Sequence, residues 1–249
     1  DEVFAGYPQF RYWYYLNKIN QKLSLQMLKK ISKQINNKVN FKNIYLNKIF
    51  KILDTDMSSQ AVNHSFRNIN FASRQKILKN PSKCFEPNKF EEVITKSHSL
   101  SQYSISELQG YTSNVLLKDT DQMSMANSLE VRVPFLDHNL IELILNISDN
   151  NKFSKLPKSL LIKAFEDLIP EKIYTRKKQG FTIPIQLWMK DELKTLCVNN
   201  LEFIYDSKNF NADAIKNLWN EYQYNGLHWA NIWSLVVLAK WSRNNGIVI

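Results

Sequence analysis

Glycine, proline and cysteine are scarce in this chain: five, seven and two residues among 249. With so few backbone breakers, helix-period stripes dominate over period-two alternation, and the sequence reads as mostly helical with few strands. The two cysteines, Cys84 and Cys197, lie far apart with no CxxC spacing. That argues against a thiolate metal site and for packing roles in a reducing compartment. No apolar run reaches the length of a membrane span; the longest strongly apolar stretch, Ile232 to Ala239, is interrupted by Ser234 and closed by Lys240, so it reads as a buried helix. The histidines at 64, 98, 138 and 228 have neither HExxH spacing nor a triad-like context. Arginine is scarce too. The formal charge is +10, yet only six of the 33 basic residues are arginine (11, 67, 74, 132, 176, 243), and the lysines are dispersed among Asn and Ile. Arginine is the residue of bidentate phosphate and base recognition, so the charge does not point to a nucleic-acid partner. No repeat, low-complexity tail or charged-then-apolar leader is visible. The chain opens on Asp1 and is expected to continue a longer polypeptide.

Hydrophobic content is ordinary at 44%, enough for a single compact body over residues 1–249. Leu23, Met27, Ile31 and Ile35 form one stripe and predict a helix. Glu107 follows Ser104 by three, a capping-box spacing that predicts a helix from Glu107 to Leu117. Asp137 is placed to cap a helix from His138 to Ile147. Pro157 suits the first turn of a helix carrying Leu161, Phe165 and Leu168 and ending before Pro170. Helices are also predicted from Ile185 to Leu196, from Asp213 to Tyr224 and from His228 to Trp241, with Gly226 as a left-handed stop between the last two. Residues 58–99, rich in Asn, Ser and Lys with prolines at 81 and 87, read as a loop-rich or variable stretch.

The stretch from Asp121 to His138, DQMSMANSLEVRVPFLDH, mixes charge into an apolar run in a way that neither helix nor strand periodicity explains. From Glu130 it reads as extended, because Pro134 biases Val133 away from helical dihedrals. Glu130 and Arg132, two apart, then point to one side. Framed by Val, Pro, Phe and Leu, they are expected to be partly buried, and buried charges persist only when paired. A structural ion pair is the preferred reading, with direct substrate contact as the alternative.

Together with Asp1-Glu-Val-Phe-Ala-Gly-Tyr7 and with Arg176-Lys-Lys-Gln-Gly-Phe181, Pro184 and Trp188, this stretch resembles the synthetase domain of glutamine-hydrolysing asparagine synthetases. The three blocks fall in the family's order, and the similarity is thin from about Lys18 to Ser99. The resemblance implies a mainly α chain, the helical C-terminal part of an α/β ATP-pyrophosphatase (adenine nucleotide alpha hydrolase-like) synthetase domain, with most of the parallel sheet preceding Asp1. It also implies the chemistry: ATP and aspartate give aspartyl-AMP and pyrophosphate, and glutamine-derived ammonia displaces AMP.

Within that pattern Lys178 falls on the catalytic lysine that contacts phosphate, although three basic residues in a row more often form an exposed turn. Asp1 falls on the magnesium ligand of a Gly-rich loop in which Ala5 stands where Gly is common. A carboxylate is a suitable hard ligand for magnesium. Asp121 and Lys118 lie three apart on a predicted helix face turned towards nucleotide or acceptor; a surface ion pair is the competing reading, and Gln122 replaces a basic residue often found beside that Asp. The family's pyrophosphate loop and its N-terminal cysteine nucleophile have no match here, so upstream glutaminase and pyrophosphate-loop segments are expected partners and the chain alone is expected to be inactive. The implied cofactors are ATP and Mg, and the implied compartment is the cytoplasm. A homodimer stays open. So do two other readings, a superfamily ligase with another acceptor (beta-lactam synthetase, lasso-peptide cyclase or sugar-modifying amidotransferase) and a non-catalytic basic helical nucleic-acid-binding scaffold.

Overall fold

The computed structural model describes residues 1–22, 58–67, 76–80, 98–176 and 183–249. Among them the chain is helical and has no strand; one isolated antiparallel bridge joins Leu78 to Phe210. No helix there is long and apolar enough to cross a membrane. The expected helix from Leu23 to Ile35 lies outside the described residues, as do Lys178 and Cys84. Where one body was expected, the described residues divide into two compact units, 1–22 and 58–67 with 98–176, and 76–80 with 183–249.

The first unit is built around α1 (Pro8–Lys22), α2 (Ser59–Phe66) and α3 (Ser99–Glu107). Pro8 opens α1, where its fixed φ costs nothing and its missing N–H has no partner to lose. Phe10, Trp13 and Tyr14 then recur three and four apart on one buried face and pack with Val62, Phe66 and Tyr103. The Trp13 indole donates to the Ser99 carbonyl at 2.5 Å, and the Asn17 amide to the Ser99 hydroxyl at 2.7 Å, so α1 is pinned to the start of α3. The helix α2 falls inside the stretch read as loop-rich. Val62 and Phe66, buried apolar side chains on it, sit one helical turn apart, and packing rather than propensity explains it, since Asn and Ser dilute the pattern between them.

The Ser104 capping box does not form, because Ser104 lies inside α3 and the helix continues without a break. After Glu107 it runs on as a π-helix (Leu108–Leu116) and then as α4 (Leu117–Met125). A turn over 126–128 and a stretch without regular structure follow, then a 3₁₀ turn (Pro134–Leu136) and α5 (His138–Asn146), where the Asp137 carboxylate accepts the Leu140 N–H at 3.1 Å as the spacing predicts. Three short helices end the unit, α6 (Asp149–Lys152), α7 (Ser159–Ala164) and α8 (Glu171–Thr175). The helix expected through Leu168 stops at Ala164, because Phe165 leaves helical dihedrals (φ −131°, ψ 25°) and the chain turns, leaving Leu168 77% exposed.

The second unit packs α9 (Ile185–Trp188), α10 (Lys194–Tyr205), α11 (Ala212–Tyr224) and α12 (Ala230–Asn244) around Met189, Cys197, Leu201, Ile204, Ile215 and Ile232. The helix predicted from Ile185 to Leu196 is broken into two. The Leu193 N–H reaches back to the Trp188 carbonyl at 2.7 Å, and the resulting turn lets both Met189 and Cys197 become fully buried. Asn211 caps α11, and Gly226, at φ 73°, separates α11 from α12 as expected of a left-handed stop. Burial raises the Cys197 thiol to about 11, consistent with a packing role.

Candidate functional site

Residues 1–6 form a tight turn closed by the Gly6 N–H on the Asp1 carbonyl at 2.8 Å. Glycine is required at position 6, since a methyl there would come within 2.9 Å of the Asp1 backbone and 2.8 Å of the Lys158 side chain. Three contacts hold the turn within the first unit. The Lys158 ammonium lies 3.0 Å from the Asp1 carboxylate. The Phe4 ring meets the Phe135 ring edge-on at 5.9 Å. The Tyr7 hydroxyl donates to the Glu2 carboxylate at 2.6 Å. Burial and this bond to Glu2 push the Tyr7 hydroxyl far above its ordinary range, with Arg67 partly opposing, so it remains a donor.

Beneath Tyr7 lies a buried ion pair. The Arg67 guanidinium grips the Glu107 carboxylate through two nitrogens, the shorter contact being 2.6 Å, and Glu107 is wholly buried. The Tyr7 and Tyr111 rings cover the guanidinium at 4.7 and 3.9 Å. Burial works against the charge of Arg67, but Glu107 outweighs it and the guanidinium is held more firmly protonated than usual. For Glu107, burial, aided by the nearby Glu2 carboxylate, outweighs Arg67 and leaves the carboxyl above its ordinary range. The π-helix aims its side chains to serve both this cluster and a neighbouring cavity, with Tyr111 over Arg67 and the buried Thr112 on the cavity wall.

That cavity, of about 320 Å³, lies where the acidic turn meets the π-helix and the segment 132–136. Asp1, Glu2 and Phe4 line one side, Thr112 and Thr120 another, and Arg132 to Leu136 a third. Two of the three sequence blocks therefore converge on one concavity.

Of the residues singled out from sequence, Asp1 and Arg132 line this cavity, while Glu130, Lys118 and Asp121 are not part of its lining. Lys118 and Asp121 are exposed on α4, and no ion pair joins them among the described residues. Arg132 and Glu130 do pair through the guanidinium, but their side chains are 84% and 68% exposed. Partial burial was inferred from their apolar neighbours in sequence; in the structure those neighbours, Val131, Val133 and Phe135, are themselves half-exposed and do not close over the pair.

No group of three or more His, Cys, Asp or Glu side chains able to hold a metal occurs among the described residues. Asp1 nonetheless suits a magnesium ion: it is one of the residues lining the cavity, its carboxylate already attracts a cation in the Lys158 ammonium, and magnesium takes one or two protein carboxylates with the rest of its shell from water and phosphate. Sequence reading missed Arg67, Tyr111 and Lys158. Lys158 follows Pro157 and takes a left-handed φ of 59°, a conformation no motif foretells, and the pairing of Arg67 with Glu107 spans 40 residues.

The asparagine synthase family model matches residues 1–243. Asparagine synthetase [glutamine-hydrolyzing] 1 of Bacillus subtilis (strain 168) is 29% identical over 182 residues, 69% of this chain and 29% of that protein. Asparagine synthetase [glutamine-hydrolyzing] 3 of the same organism is 46% identical over 67 residues, 26% of this chain and 11% of that protein. Amidase chyE of Penicillium rubens is 31% identical over 81 residues, 30% of this chain and 12% of that protein. The matched part of the chain covers less than a third of each of these relatives. No solved structure matches.

Proposed function

The chain belongs to the asparagine synthase family, and from that premise we propose that it forms the C-terminal part of a cytoplasmic synthetase domain that activates aspartate with ATP and transfers it to glutamine-derived ammonia. The observation that carries this reading is the convergence of the acidic turn and the 132–136 segment on one cavity beside the π-helix. In the reaction, an oxygen of the aspartate side-chain carboxylate bonds to the α-phosphorus of ATP and the bond to pyrophosphate breaks. Ammonia then attacks the carbonyl carbon of aspartyl-AMP, AMP leaves, and a proton is lost from nitrogen.

Negative charge accumulates on the departing pyrophosphate, and its stabilisation is the main service such a site renders. Magnesium, when bound, would neutralise phosphate charge as a Lewis acid. Asp1 is the residue here that would hold it, and the turn fixes where that carboxylate lies. Lys178 brings a compact point charge, the kind of cation suited to the phosphates as they separate. Arg132, at the cavity rim and free of any burial requirement, is available to an anionic substrate group as well as to Glu130.

The test is Lys178→Ala in the polypeptide that carries this chain with its pyrophosphate loop. Pyrophosphate release should fall about a hundredfold or more while aspartate affinity changes little. An unchanged rate would return Lys178 to an exposed basic turn. The match to a Penicillium rubens amidase favours a second reading, in which the same activation serves a different acceptor; ATP turnover indifferent to aspartate would support it.

A further inference from the structure

We propose that Arg67 is a positioning residue for the acidic turn, acting through Tyr7 on Glu2. Its consequence for metal and substrate rests on the functional reading above, but the relay itself stands on geometry alone. Glu107 is wholly buried and is gripped by two guanidinium nitrogens, which fixes the plane of Arg67. The Tyr111 ring at 3.9 Å and the Tyr7 ring at 4.7 Å then cover the guanidinium, so Tyr7 has little freedom to tilt. From that ring the hydroxyl donates to Glu2 at 2.6 Å, and Glu2 adjoins Asp1 on the cavity wall. A rigid buried pair, one partner directly after α2 and the other at the end of α3, thus sets the position of carboxylates at residues 1 and 2, which have no regular secondary structure of their own. Lysine at position 67 would keep the charge but lose the two-nitrogen grip and the flat surface on which Tyr7 rests.

Hydrogen exchange of the 249-residue chain tests the relay directly. Tyr7→Phe keeps the ring and deletes only the hydroxyl; amides of residues 2–6 should exchange about tenfold faster or more, as expected when a hydrogen bond to a charged group is lost, while amides of α1 and α3 keep their rates. Arg67→Lys should loosen the same turn amides beyond any change in the helices. Unchanged turn exchange in Tyr7→Phe, or acceleration of turn and helices by one common factor, overturns the proposal. In an adenylating polypeptide, Tyr7→Phe should raise the Mg²⁺ concentration needed for half-maximal rate and leave the rate at saturating Mg²⁺ unaltered; a lowered saturating rate with an unchanged Mg²⁺ requirement would count against it. The two readings fail separately: a loosened turn in a protein that makes no acyl-adenylate keeps the relay and sinks the functional reading, whereas an unmoved turn in an active enzyme does the reverse.

Discussion

Ala5 occupies the left-handed region at φ 51°, a conformation that costs an L-residue roughly 1–2 kcal/mol and glycine almost nothing. Glycine is also more disordered in the unfolded chain, which takes back part of the gain. Ala5→Gly should therefore stabilise the protein by about 0.5–1 kcal/mol, measured by denaturant unfolding; a loss of stability would mean that the turn has a different backbone. Arg132 belongs to the same scale. Had its pair with Glu130 been buried, Arg132→Ala would cost about 3–5 kcal/mol by stranding a charge; at the exposure seen, roughly 1 kcal/mol or less is expected, and urea midpoints of the variant and wild type distinguish the two. The pairing itself was legible, because residues two apart in extended backbone share a side. Burial was not, because it depends on which distant segments close over residues 130–132. The same limit hid Arg67, whose partners come from two other stretches of sequence.

At the scale of elements, a cap and a stop were readable from single residues: Asp137 and Gly226 each mark a terminus by local stereochemistry. Helix interiors were less so. The break after Trp188 and the π-helix from Leu108 to Leu116 are decided by what must be buried beside them, which a periodicity of one face does not report. The join between α6, α3 and α5 makes a test. Lys152 is buried there, donating to the Ser101 hydroxyl at 2.6 Å and more weakly to the Leu145 carbonyl, and burial lowers its ammonium to about 8 despite Asp149 nearby. Its folded value lies below its unfolded value of 10.5, so between the two the unfolded chain binds more protons and this group's contribution to stability rises with pH. That contribution is complete above the unfolded value and is lost as pH falls through about 8. Cys197 acts in the opposite sense at higher pH, since its folded value is the raised one. The difference in unfolding free energy between wild type and Lys152→Met isolates the lysine: it should grow from pH 8 towards 10.5, and a flat difference would contradict the buried ammonium.

For the whole molecule, mainly helical character followed from the scarcity of glycine and proline, and the family followed from three short blocks whose order mattered more than any one of them. Division into two units left no mark in composition, because no Pro- or Gly-rich linker separates them and each draws on two separate stretches of chain. The segment carrying Met123, Leu129 and Val131 is more than half exposed, a larger apolar surface than a sequence of ordinary composition announces. The central claim is that this chain serves aspartate activation, and aspartate-dependent pyrophosphate release from ATP tests it most directly in the polypeptide that joins residues 1–249 to a pyrophosphate loop. The account predicts release that requires both aspartate and Mg²⁺ and yields asparagine when ammonia is supplied. Release that proceeds equally without aspartate, or none with aspartate, ATP and Mg²⁺ all present, would contradict it.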